Sequence, residues 1–128
     1  ILCAAVAGFT PETTADEKIK RKGDDMVIRL KPTQDIAASL GQMKTEAQIL
    51  VGFALETNDE KNNAQLKLKK KNLDFIVLNS LNDEGAGFRC DTNKITIISV
   101  DDEKDFPLKS KAEVAKDIVD ELENHIKA

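Results

Sequence analysis

Apolar positions along this chain fall into three short unbroken runs, one alternating segment and one helical stripe. Residues 1–7 (ILCAAVA), 48–55 (QILVGFAL) and 75–78 (FIVL) are the runs, the pattern of strands covered on both faces. The first ends at Gly8-Phe9-Thr10-Pro11. The chain is polar and irregular to Arg21, and Lys22-Gly23-Asp24-Asp25 reads as a turn. Residues 26–30 alternate, with Met26, Ile28 and Leu30 on one side and Val27 and Arg29 on the other. That predicts a half-exposed antiparallel strand, one arm of a hairpin.

Three helices are predicted. A short one follows Pro32, with Thr33 as N-cap, Asp35 in the first turn and a stripe of Ile36, Ala37, Leu40 and Met43; Gly41 weakens its end. The second begins at Asn58, Asp59 and Glu60, and its Lys67 and Lys71, four residues apart, share a face. The third is the most fully specified. Ser110 and Glu113 form a capping box ahead of an apolar face of Val114, Ala115, Ile118, Val119, Leu122 and Ile126. His125, the single histidine, stands in its last turn at an exposed terminal position, where no motif gives it a chemical role. Residues 79–93 read as a loop carrying Gly85 and Gly87. Residues 94–100 (KITIISV), a charged turn at 101–105 and Phe106-Pro107-Leu108 read as a terminal hairpin at the sheet edge. Two strand–helix–strand passages in succession predict right-handed crossovers. The expected class is α/β, Rossmann-like, a mainly parallel sheet with flanking helices and an antiparallel hairpin extension, in a partial domain.

Composition narrows the choice of function. The 128 residues suit one compact unit, and 41% hydrophobic with 33% charged residues is enough for a core. A net charge of −4, with lysines interspersed among acids, argues against a nucleic-acid surface. Five phenylalanines and no Trp or Tyr are a poor supply of stacking platforms for single strands. Cys3 and Cys90 form no CxxC pair, so a disulfide framework or zinc site is not expected. Both are expected reduced in a cytoplasmic setting, with Cys3 packed as a small hydrophobe. No stretch reaches the roughly 18 apolar residues of a membrane span. The apolar start lacks the flanks of a signal peptide, and with no initiator Met it reads as the inside of a longer protein. Neither a P-loop, a dinucleotide fingerprint nor a GxSxG elbow is present. What remains is lysines at the carboxyl end of a parallel sheet, which fits either an anion site or a solvated helix face.

Several blocks in order carry a family resemblance. These are AAVAGF (4–9), EKIKR (17–21), LKPTQDIA (30–37), VGFALET (51–57), KLKKKNLDFIVLNS (67–80), GFRCDTN (87–93) and PLKSKAEVAKDIVDEL (107–122). Together they resemble phosphopantothenate–cysteine ligase, the synthetase half of the bifunctional coenzyme A biosynthesis flavoprotein of bacteria, over nearly the whole chain. The resemblance implies that residues 1–128 are the carboxyl-terminal portion of the ligase domain. The amino-terminal half of that domain and an FMN-dependent decarboxylase domain would lie outside it. It also implies CTP, magnesium (or manganese), 4′-phosphopantothenate and cysteine as reaction components, a homodimer, and no nucleic acid or membrane.

Site residues follow from the same resemblance, position by position. Lys18 matches the lysine at the nucleotide phosphates and is the catalytic candidate; its other reading is an exposed loop lysine. Cys3 and Ala4 match a nucleotide-contacting strand end. Gln34, Asp35, Ile36 and Ala37 match the helix start that meets the nucleotide. Phe53 matches a nucleotide-side phenylalanine, or else is core. Lys67 and Lys71 match lysines at the CTP end, and residues 20–29 match a mobile flap. No residue is assigned to the metal. One departure stands out: the family reads Asp where Gly8 stands, and glycine supplies no carboxylate. The alternative is therefore a catalytically incompetent nucleotide-binding α/β fragment or module.

Overall fold

The computed structural model describes residues 1–80 and 90–127. The chain divides into two units, Ala4–Asp35 and Ile1–Cys3 with Ile36–Ala128. In the smaller unit β1 (Phe9–Pro11) and β2 (Leu30–Pro32) pair antiparallel, with Thr10 opposite Lys31. The Glu12 N–H extends the pairing to the Arg29 carbonyl at 2.9 Å. The hairpin arm expected at 26–30 is thus displaced. Its strand starts at Leu30, and its partner is the segment read as the end of an apolar run. Met26, Val27 and Ile28 stay exposed, because alternation marks residues able to line a sheet and supplies no sheet to line. Gly23, at φ +83°, lies in the predicted turn.

Residues 1–7 form no strand. The Leu2 N–H donates to the Val51 carbonyl at 2.9 Å and Leu2 packs on the core of the larger unit, but Ile1, Cys3 and Val6 are exposed. An apolar run shows that a segment tolerates burial; the covering layers must come from elsewhere.

The larger unit runs α1 (Ile36–Met43), β3 (Val51–Glu56), α2 (Glu60–Lys70), β4 (Phe75–Ser80), β5 (Thr92–Asn93), β6 (Ile95–Ser99), β7 (Glu103–Asp105), β8 (Lys109–Ser110) and α3 (Lys111–Lys127). Its four-stranded sheet has the order β3-β4-β6-β7, and β5 pairs separately with β8. β3 and β4 are parallel, joined through α2, while β4–β6 and β6–β7 are antiparallel. The α/β class with an antiparallel extension holds, with one parallel pair in the described sheet. The edge hairpin also holds, though its second strand is the charged segment itself. The loop expected at 79–93 is strand at its start, in β4, and at its end, in β5, and residues 81–89 lie outside the described part.

The sheet separates two apolar layers. On one face Leu50, Ala54, Ile76, Leu78 and Ile98 meet Ala64 and Leu68 of α2. On the other Val51, Phe75, Val77, Ile95 and Ile97 meet Val114 and Ile118 of α3. The capping box of α3 forms as expected. Ser110 Oγ donates to Glu113 Oε2 at 2.7 Å, the Ser110 N–H at 3.1 Å, and the Glu113 N–H returns to Ser110 Oγ at 3.3 Å. The predicted face of α3 is wider than the buried one: Val119 and Ile126 are exposed. His125 is half-buried rather than exposed. Its ring lies 5.0 Å from that of Phe75, and Nδ1 is 3.0 Å from the Glu121 carbonyl oxygen.

Two expectations about α1 change. The helix starts at Ile36, so Thr33 is not its N-cap; the Thr33 hydroxyl donates instead to the Ala7 carbonyl at 2.7 Å. Gly41 does not loosen the helix. It is buried, and a Cβ there would sit 1.9 Å from the Lys71 carbonyl oxygen. It is glycine because two backbones meet at that point.

Candidate functional site

The site begins with the alternation in β3. Val51, Phe53 and Leu55 point to the α3 face, Gly52, Ala54 and Glu56 to the α2 face. Val51 is fully buried, but Phe53 is 38% and Leu55 40% exposed. Phe53 is therefore not enclosed by the described residues of this chain. β3 is also the edge of the four-stranded sheet.

Beyond Glu56 the chain turns into α2. Asp59 takes a left-handed conformation (φ 44°), which Asp tolerates better than most residues. The Asp59 carboxylate accepts from the Asn62 amide at 2.7 Å, and the Asn63 amide donates to the Asn58 carbonyl at 2.9 Å. Glu56, at the carboxyl end of β3 and in phase with the buried face, meets Lys67 of α2, with Oε1 and Nζ 2.6 Å apart. Oε1 is shielded from solvent, and the contact lacks the alignment of a hydrogen bond. It is a charge-to-charge contact, in which Glu56 is largely buried and Lys67 keeps 44% of its side chain exposed. Lys71 follows one turn later as the C-cap, its N–H on the Lys67 carbonyl at 3.0 Å. Its backbone carbonyl faces Gly41 of α1.

The predicted residues fall in both units. Cys3, Ile36, Ala37, Phe53, Lys67 and Lys71 belong to the larger, and Ala4, Gly8, Lys18, Gln34 and Asp35 to the smaller. Within the larger, Lys67 meets Glu56, which follows Phe53 by three residues along β3 and points to the opposite face. Cys3 is exposed rather than packed, next to the Leu2–Val51 hydrogen bond. Ile36 and Ala37 form the first turn of α1. In the smaller unit Lys18 is exposed, and Gly8 accepts the Thr33 N–H at 3.0 Å. A Cβ at Gly8 would meet nothing within 4 Å, so the position has room for a side chain.

Sequence reasoning missed Glu56. The signal was present: it shares the strand face of Gly52 and Ala54, and a carboxylate in phase with a buried face calls for a cation. It also missed the amide pair at the end of β4, where Asn93 donates to Asn79 Oδ1 at 2.6 Å. The shifted titrations lie elsewhere, on ties within the scaffold. Hydrogen bonds to Glu103 and then Asp105 raise Lys61, and the Thr96 hydroxyl foremost lowers Asp105. A hydrogen bond to Glu121 raises Lys104. Among the described residues no group of three His, Cys, Asp or Glu side chains stands together to hold a metal, and no helix is long and apolar enough to cross a membrane.

Fold and site together define part of a mixed α/β domain, with a lysine held at the carboxyl end of its parallel strand pair. The chain belongs to the family of the DNA/pantothenate metabolism flavoprotein C-terminal domain, whose model matches residues 1–126. It is 64% identical over 120 residues to a cysteine/cysteine sulfinic acid decarboxylase from an unknown prokaryotic organism, covering 93% of this chain and 33% of that protein. It is 48% identical over 123 residues to the coenzyme A biosynthesis bifunctional protein CoaBC of Bacillus subtilis, covering 95% of this chain and 30% of that protein. The chain therefore spans about a third of the length of these relatives. Among solved structures it matches the C-terminal domain of a CoaBC protein with a TM-score of 0.73 and 33% identity, over 97% of this chain and 52% of that one. The resemblance read from the sequence blocks is the one these comparisons return.

Proposed function

We propose that the chain forms the nucleotide side of a CTP-dependent phosphopantothenate–cysteine ligase acting in coenzyme A biosynthesis. The observation that carries this is Lys67, held by Glu56 at the carboxyl end of a parallel strand pair. That is where open α/β sheets take their ligands. The exposed Phe53 on the same edge strand supports it. In this reading the 4′-phosphopantothenate carboxylate attacks the α-phosphorus of CTP and pyrophosphate leaves. The cysteine amine then attacks the acyl carbon of the cytidylate and CMP leaves. Lys67, Lys71 and Lys18 answer the phosphate charge, with Lys18 the catalytic residue. The backbone at Cys3 and Ala4, the position of Gly8 and the helix start at Gln34–Ala37 complete the nucleotide contacts.

Magnesium (or manganese) would supply further charge neutralisation on the triphosphate. Such an ion is commonly held through phosphates and water with one or two carboxylates, a mode that needs no cage of protein ligands. The ligase works as a homodimer in the cytoplasm, and FMN belongs to a decarboxylase domain outside this chain.

The test is calorimetric titration of the full-length protein with CTP and magnesium, followed by pyrophosphate release with both substrates. CTP binding with pyrophosphate release is expected; no CTP binding sinks the reading. CTP binding without turnover favours a second reading, a nucleotide-binding module without ligase activity, which Gly8 supports. The name of the 64%-identical relative points to a decarboxylase. Carbon dioxide release from cysteine without a CTP requirement would favour that instead.

A further inference from the structure

We infer that Glu56 is a positioning residue, which fixes the Lys67 ammonium for the phosphates of a bound nucleotide; this rests on the CTP reading above. Lysine has a long stem and a strongly hydrated head, so an exposed one samples many positions. Here one end of that freedom is removed. Glu56 is the last residue of β3, anchored by ladder bonds to β4 with Ser80 as its register partner. Its side chain points into the layer under α2, and its Oε1 has no contact with solvent.

Lys67 reaches this oxygen from α2, one residue ahead of the buried Leu68 that seats the helix on the sheet. The carboxylate and the ammonium are thus each carried by a rigid element. An ammonium has three donors. Against Glu56 the Lys67 side chain still keeps 44% of its surface exposed, which leaves it accessible to an anion. Such a group costs less to order when the anion arrives. Neighbouring Lys69 and Lys70 are exposed and have no comparable partner on a strand among the ion pairs described, so they provide internal controls.

The measurement is CTP affinity with magnesium in the full-length protein, for Glu56→Gln, Lys67→Met and the double variant, alongside each thermal midpoint. Glu56→Gln is expected to weaken CTP on the order of tenfold, the scale of ordering one long side chain when the anion arrives. In the Lys67→Met background the same change is expected to have no further effect. Glu56→Asp keeps the charge on a shorter stem and should fall between Gln and wild type, while Lys70→Met should stay near wild type. A lower thermal midpoint with unchanged affinity, or an equal loss in both backgrounds, overturns the positioning role while the CTP reading stands. Absence of CTP binding by the unmutated protein overturns both.

Discussion

At the scale of single residues, the informative positions are those where side-chain type and surroundings disagree. Phe53 and Phe75 lie on adjacent strands and the same sheet face, yet Phe75 is fully buried and Phe53 is 38% exposed. Truncating a core phenylalanine costs roughly 3–5 kcal/mol. Phe75→Ala should fall in that range by urea denaturation and Phe53→Ala well below it. A full core-sized loss at Phe53 would contradict that exposure. Gly41 makes the opposite point. In an exposed helix Ala is better than Gly by ~1 kcal/mol. Here the added Cβ would lie 1.9 Å from the Lys71 carbonyl oxygen, a backbone atom. Gly41→Ala is expected to destabilise by about 1–3 kcal/mol, the scale of overpacking. A rise in the urea midpoint would contradict the close approach. Neither result is readable from composition, since helix propensity alone assigns Gly41 the wrong sign.

At the scale of elements, legibility tracked how many independent signals agreed. The third helix had a cap and a stripe; the cap holds, and of the stripe Val114 and Ile118 are buried while Val119 and Ile126 are exposed. FIVL and KITIISV were read correctly because each is buried by layers within this chain. ILCAAVA carries as strong an apolar signal, yet of its seven residues Leu2 is the one packed on an apolar core. Periodicity reports which side chains tolerate burial and is silent on what covers them. The capping box also yields a pH dependence. The Ser110 hydroxyl, then its N–H, hold the Glu113 carboxyl below its ordinary 4.5. A folded value below the unfolded one means the contribution is present above pH 4.5 and lost as pH falls through the folded value. Ser110→Ala should therefore lower the thermal midpoint clearly at neutral pH, and the gap should narrow in acid. A gap of constant size would show that the pair is not linked to protonation.

At the scale of the whole molecule, the candidate site was legible only as a list. Lys67 and Lys71 were singled out by spacing, but the partner that fixes Lys67 lies eleven residues earlier, on another element. Pairing across elements is a property of the fold and is invisible to spacing along one helix. The same gap affects the segment from Glu12 to Arg29. Its residues 20–29 were matched to a mobile flap, and the whole segment carries no helix or strand, with every residue exposed. Exposed backbone held by few hydrogen bonds opens easily and is cut first by proteases. Lys18, Lys20, Arg21 and Lys22, with Arg29 at its end, put five trypsin sites there. Brief trypsin treatment should cleave among them before it cuts the helices of the larger unit, and mass spectrometry of the fragments would locate the cuts. If Lys18 engages nucleotide phosphates, CTP with magnesium should slow this cleavage, and magnesium alone should not. Cleavage at Lys18–Lys22 that is indifferent to saturating CTP would detach this segment from the nucleotide and leave Lys67 to carry the phosphate contacts without it.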